Sequence, residues 1–211
     1  MSWKDGSRRP ESAPVDKAQP LEAIPGIGGR PRGEWVLDQN GLLVGATHVL
    51  SPNFDDRPPG EAVTLVVIHS ISLPPGEFGG DAIEKFFTNA LDWGAHPYFE
   101  GLRGLRVSAH FLVRRDGAVV QFVPCEKRAW HAGQSSHGGR TRCNDYSVGI
   151  ELEGAEEIEY TDSQYEALVS LIREIRRRYP IAEVVGHSDV SPGRKTDPGR
   201  SFDWIRLRSA L

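Results

Sequence analysis

The chain has 211 residues, a net charge of −4 and a sequence pI near 6.0. That length suits one domain with a tail and is ample for a buried core, and mild acidity without an extended basic block excludes nucleic acid as an expected ligand. Its two cysteines, Cys125 and Cys143, lack Cys-x-x-Cys spacing and form no disulfide framework, which fits a reduced compartment.

Residues 1–33 are rich in proline and glycine and carry no periodic apolar signal, so they read as a mobile N-terminal extension to a domain spanning 34–211. Arg8-Arg9 is followed by Pro, Glu, Asp and Lys, not by the apolar segment an export signal needs, and no later run approaches a membrane span. The expectation is a cytoplasmic protein with no membrane partner. Gly26-Ile27-Gly28-Gly29 has the glycines of a phosphate loop, but no strand precedes it and no helix follows. Order is expected to begin near Trp35, with Asn40-Gly41 as a turn.

Thr64 to Ile71 is a β-branched run that reads as a strand buried on both faces, ending in His69-Ser70-Ile71. Residues 81–89 read as a short helix after Gly79-Gly80. Ser108–Val113 and Ala118–Val123 flank Arg115-Asp116-Gly117, a hairpin signal. Ser147–Glu153 is another strand. Residues 161–179 form the clearest helix: Thr161 and Gln164 make a capping box, and Tyr165, Leu168, Leu171, Ile172 and Ile175 share a face. Arg173, Arg176, Arg177 and Arg178 complement the dipole at its end. A strand then runs to His187, a Pro/Gly-punctuated loop carries Lys195 and Asp197, and a helix closes the chain over about 201–211. These elements predict an α/β fold with a single mixed β-sheet flanked by helices.

The chemistry collects where strands end. His69 and His187 each follow an apolar strand, and with Asp197 they make a three-ligand set, the number a catalytic zinc site needs beside its open position. His110 and His131 are rivals for ligation that spacing leaves open. In Val148-Gly149-Ile150-Glu151-Leu152-Glu153, alternation sends both glutamates to one face; Glu151 is the expected general base, with Glu153 as its rival. Lys195, two residues before Asp197, is placed to stabilise an oxyanion. Trp130-His131-Ala132-Gly133 is a further candidate site loop, suited to sugar or peptide packing.

Taken together, the runs Val67–Gly80, Val107–Phe111, Lys127–Gly133, Arg142–Asp145, Gly149–Gly154 and Lys195–Gly199 closely resemble the zinc-dependent 1,6-anhydro-N-acetylmuramoyl-L-alanine amidases. That family belongs to the wider N-acetylmuramoyl-L-alanine amidase and peptidoglycan-recognition group. The resemblance covers about residues 41–211 and implies a cytoplasmic, monomeric peptidoglycan-recycling hydrolase whose partner is an anhydro-muropeptide substrate. It implies one Zn2+ per chain on His69, His187 and Asp197, catalysis by Glu151 and Lys195, and substrate contacts at Arg106, Arg142, Trp130 and Ser70. Ser70 departs from the family, whose close members carry Asn after the first ligand. A wall-remodelling amidase acting on intact peptidoglycan and a non-catalytic peptidoglycan-binding module are the alternatives. Loss of a zinc ligand would mark the second, and Asp197 is present.

Overall fold

The structure is a computed structural model that describes residues 35–211; the extension read over 1–33 lies outside the described residues. β1 (Val36–Leu37) and β2 (Leu43–Val44) pair across a turn in which the Gly41 amide donates to the Asp38 carbonyl. Gly41 stands at φ 77°, and a Cβ there would press on the Cys125 and Glu126 amides. This is the Asn40-Gly41 turn expected from sequence. β3 (Thr47–His48) and β4 (Phe54–Asp56) follow, then β5 (Leu65–Ile71), α1 (Ala82–Phe87) and α2 (Pro97–Glu100).

β6 (Phe111–Val113) and β7 (Val119–Gln121) form the expected hairpin, with Val113 opposite Val119. β8 (Lys127–Ala129) pairs with β4, and β9 (Ser136–His137) pairs with β10 (Arg140–Thr141). β11 (Ser147–Glu153), α3 (Asp162–Arg178), β12 (Glu183–Gly186), α4 (His187–Val190) and α5 (Trp204–Ala210) complete the chain.

One six-stranded mixed sheet in the order β12-β5-β11-β6-β7-β3 organises these pieces. β12, β5, β11 and β6 run parallel, and β7 turns back antiparallel. The sheet has helices on both faces because its central strands are apolar on both. On one face Val66, Ile68, Val148, Ile150 and Leu152 pack against Leu168, Leu171, Ile172 and Ile175 of α3. On the other, Leu112 and Val120 pack with Phe86 and Phe87 of α1 and Phe99 of α2. Leu65, Val67 and Val185 lie beneath Ala132, Cys143 and Tyr146 of the loop before β11. The capping box opens α3 as expected: Thr161 Oγ1 accepts from the Gln164 amide, and Gln164 Oε1 accepts from the Thr161 amide.

β11 is buried along its whole length, so Glu151 and Glu153 sit inside the protein and not on a solvent face. The second face is covered by the 130–146 loop, a long-range packing that alternation alone does not report.

Candidate active site

Three adjacent parallel strands deliver the functional side chains to one end of the sheet. Register pairs His69 of β5 with Glu151 of β11, and Ile68 with Gly186 of β12, so His187 emerges beside His69. Crevices at the carboxyl ends of parallel strands are the usual ligand sites of open α/β sheets. His187 opens α4, and the Ser188 amide donates to the Asp197 carbonyl at 3.0 Å, which draws the Lys195–Asp197 loop onto that end. Gly186 permits this approach, because a Cβ there would meet Pro198 at 2.9 Å.

His69 Nδ1 lies 2.9 Å from His187 Nδ1 and 3.2 Å from Asp197 Oδ2, and His187 Nδ1 lies 3.1 Å from the same oxygen. The three form the metal-competent group among the described residues. A tetrahedral zinc with bonds of about 2.0 Å separates its ligand atoms by about 3.3 Å. The triangle here is close to that spacing. Its chemistry also fits: His187 directs Nε2 at the Ala132 carbonyl, which leaves Nδ1 as a lone pair. Two imidazole lone pairs and a carboxylate oxygen this close together call for a cation between them. His69, buried to 1% exposure, is held down to about 4 chiefly by burial, with His187 adding to the effect and Asp197 opposing it. Burial raises the Asp197 carboxyl, but the His187 and His69 imidazoles facing it, which donate to it when protonated, outweigh burial and hold it well below the usual carboxylate range.

Glu151 is buried, and its Oε2 has no hydrogen-bond partner among the described residues. Burial, and then the Asp197 charge, push its carboxyl well above the ordinary value, while Lys195 pulls it down. A carboxyl raised in this way takes up a proton more readily than a solvated one, as a general base must. Glu153 is fully engaged: its Oε1 accepts from the Gly79 amide at 2.6 Å and from Arg114 at 2.8 Å, and its Oε2 from the Arg115 amide at 3.1 Å. Lys195 is exposed on the loop, close enough for its charge to act on both His69 and Glu151.

Hydrogen bonding assigns the rival histidines other work. His110 Nδ1 accepts from the Gly149 amide at 3.0 Å, and its Nε2 donates to the Lys127 carbonyl at 3.1 Å, so both ring nitrogens are used. His131 Nδ1 lies 3.0 Å from His69 Nε2, behind the ligand and not beside it. Trp130 is half-buried, with Nε1 donating to Asp55, which is clamped by Arg128. Arg128 also binds Asp145 at 2.6 Å, and Asp145 holds the exposed Arg142 at 2.9 Å. Trp130 and Arg142 are therefore joined through one charged network. Arg106 is exposed on the segment after α2. Ser70 lies on the same face of β5 as Val66 and Ile68, the α3 side, opposite to His69. Tyr160 of the same core donates to the Pro198 carbonyl at 2.8 Å. Tyr160 thus tethers the Asp197 loop.

Sequence reasoning missed Arg57, Asn144, Ser147 and Gly149. Half-buried Arg57 donates to the carbonyls of Cys125, Asn144, Asp145 and Ser147. Asn144 Oδ1 accepts from the amides of His131 and Ala132 at 3.2 and 2.8 Å. Together they pin the loop over the ligand end. Nothing local in sequence marks them, because each bonds residues far away along the chain.

Fold and donor set define the class first: an α/β domain carrying, at the ends of its parallel strands, the parts of a metal-assisted hydrolase. Residues 59–200 match the family model described as N-acetylmuramoyl-L-alanine amidase, and the chain belongs to that family. It is 55% identical over 175 residues to the 1,6-anhydro-N-acetylmuramyl-L-alanine amidase AmpD of Escherichia coli K12, covering 82% of this chain and 96% of that one. A crystal structure of a selenomethionine derivative of AmpD superposes with a TM-score of 0.81 at 55% identity, covering 83% of this chain and 99% of the other. The Escherichia coli amidase AmiD, solved with anhydro-N-acetylmuramic acid-L-Ala-D-γ-Glu-L-Lys, superposes at a TM-score of 0.51 with 28% identity, covering 84% and 65% of the respective chains. Among the described residues no helix is long and apolar enough to cross a membrane.

Proposed function

We propose that this chain is a zinc-dependent hydrolase that cleaves the amide between 1,6-anhydro-N-acetylmuramic acid and the L-alanine of the stem peptide, as a monomer in cytoplasmic cell-wall recycling. The observation that carries this reading is the register of His69 with Glu151, which sets an unpartnered buried carboxyl oxygen beside the His69–His187–Asp197 set. The extent of likeness to AmpD, over nearly the whole of that protein, supports the substrate.

His69, His187 and Asp197 would hold the ion. Bound zinc supplies a Lewis acid and lowers the pKa of a coordinated water. Glu151 takes a proton from the attacking water as oxygen bonds to the amide carbon. It returns that proton to the alanine nitrogen as the carbon–nitrogen bond breaks, and the second water proton passes from the new carboxyl group to the released amine, giving a carboxylate and an ammonium. The Lys195 ammonium faces the charge that develops on the carbonyl oxygen. Arg106 and Arg142 suit the carboxylates of a stem peptide, and Trp130 offers an aromatic face to the sugar. The 92–106 and 131–144 segments, which hold α2 and the β9–β10 hairpin, furnish pocket walls.

The deciding experiment compares kcat/KM on anhydro-muropeptide, its hydrated muramyl counterpart and intact sacculi, with chelator and zinc add-back. The expected result is zinc-restored turnover with anhydro-muropeptide preferred by roughly a hundredfold, the scale of a few kcal/mol of unmatched contacts. Equal or better turnover of sacculi would assign the chain to wall remodelling. Binding without turnover in the zinc-loaded protein would assign it to the recognition modules.

A further inference from the structure

One face of β11 presents Ser147, Gly149 and Glu151 at alternate positions, and the His131 ring lies across the middle one. A Cβ on Gly149 would stand 2.5 Å from His131 Cγ, so the imidazole occupies the space a side chain would take. Such a glycine inside a central strand is unfavourable by itself and marks a close approach. Here the approach brings each His131 nitrogen to a partner. Nε2 lies 3.1 Å from Ser147 Oγ, and Nδ1 lies 3.0 Å from His69 Nε2.

The direction of these bonds follows from one fact. The Ser147 hydroxyl gives its single proton to the Cys143 carbonyl at 2.6 Å, so toward His131 its oxygen can only accept. His131 must then carry its proton on Nε2 and present a bare Nδ1. His69 must in turn carry its proton on Nε2, which leaves His69 Nδ1 unprotonated toward His187 and Asp197. The opposite order would leave the bare Nε2 of His131 facing a Ser147 lone pair, with no proton between them. His131 cannot slide out of this role, since Asn144 holds its amide and Gly149 lies beneath its ring.

We infer that Cys143 C=O, Ser147 and His131 form a positioning relay that fixes the tautomer of His69 and so creates its metal-binding lone pair. The inference rests on the reading of His69 as a metal ligand. It makes His131 a positioning residue, two shells of contact from the reaction, rather than a rival ligand. Second-shell partners of this kind orient a ligating imidazole and raise its basicity, and their loss weakens metal binding by about 10–100-fold.

The test uses the full-length protein, zinc and a competing chromophoric chelator, with nitrogen NMR of the imidazoles as an independent readout. In the metal-free wild type, His69 should show the Nε2–H tautomer. His131→Phe, which keeps a ring but removes the acceptor, should raise the zinc dissociation constant about 10–100-fold while retaining one site per chain. His131→Asn, whose carbonyl oxygen can take the place of Nδ1, should restore affinity to within a few-fold of wild type. Ser147→Ala should fall between the two and let His69 and His131 populate mixed tautomers. The cobalt-substituted protein should report the same order in its visible absorption bands, which follow ligand geometry.

Unchanged zinc affinity in both His131→Phe and Ser147→Ala would overturn the relay while leaving the ligand set standing. Failure of the wild type to bind zinc at all would remove the ligand reading itself. If His131→Phe does not fold, Ser147→Ala and the wild-type tautomer still decide, and an Nδ1–H form of His69 in the wild type sinks the relay.

Discussion

Glu151 and Glu153 stand two residues apart on one strand, face the same way, and have opposite surroundings. Glu151→Gln should fold, bind zinc at one per chain and lose about 10²–10⁴ in kcat, the usual loss on removing a general base. Glu153→Gln should do the reverse. It weakens the contact with Arg114 and the Gly79 and Arg115 amides inside the protein, so it should lower stability by about 1–3 kcal/mol and leave kcat within a few-fold. Unfolding curves and steady-state kinetics on the two variants separate the roles, and inactive, fully stable Glu153→Gln would transfer the base to that position. Asp197→Ala should lose zinc and turnover together, because two protein ligands remain; metal analysis showing full occupancy in it would remove Asp197 from the set. Lys195→Ala should keep zinc and lose about 10²–10³ in kcat, the scale of one oxyanion donor.

At the scale of elements, α3 carries most of one core and touches none of the proposed chemistry. Its capping box satisfies two end groups of the helix, with Thr161 Oγ1 also donating to the Arg115 carbonyl at 2.7 Å. Thr161→Ala should therefore cost about 1 kcal/mol, visible as a lower unfolding midpoint, with kcat/KM unchanged. A fall in kcat/KM at matched folded fraction would mean that α3 communicates with the strand ends. β5, β11 and β12 behave differently. Their parallel register is what aligns His69, Glu151 and His187, so shifts there are expected to disturb metal binding and catalysis together.

Across the whole molecule, buried neutral histidines link stability to pH. Burial foremost, then the Arg57 charge, holds His110 down to about 3 against the Lys127 carbonyl, which favours protonation, and His69 adds a further lowering effect. An unfolded histidine titrates near 6.5. The folded value is depressed, so the unfolded chain binds more protons between the two values. The contribution of His110 is complete above about pH 6.5 and is lost as pH falls toward about 3, with a slope of up to about 1.4 kcal/mol per pH unit for this one group. Urea unfolding of the zinc-free protein at pH 7, 5.5 and 4.5 should show this decline. A flat profile over that interval would mean that His110 is solvated or already charged in the folded state.

The sequence by itself determined the apolar strands at 65–71 and 147–153, the capped helix at 162–178, the Asp116-Gly117 hairpin and the candidate residues His69, His187 and Asp197. These signals are local: β-branched runs, a side-chain period of 3.6 and turn chemistry act within a few residues. β3, β9, β10 and α2 are two to four residues long, too short for periodicity to declare itself. Only the tertiary structure distinguished the surroundings of Glu151 and Glu153, because residues two apart on a strand share a face and differ only in what distant segments bring to them. It likewise gave His110 and His131 their places behind the ligand set and revealed why Gly149 and Ser147 stand where they do. Those assignments depend on hydrogen bonds between residues tens of positions apart, from His69 to His131 and from Gly149 to His110, which form once the sheet and the loop above it have closed.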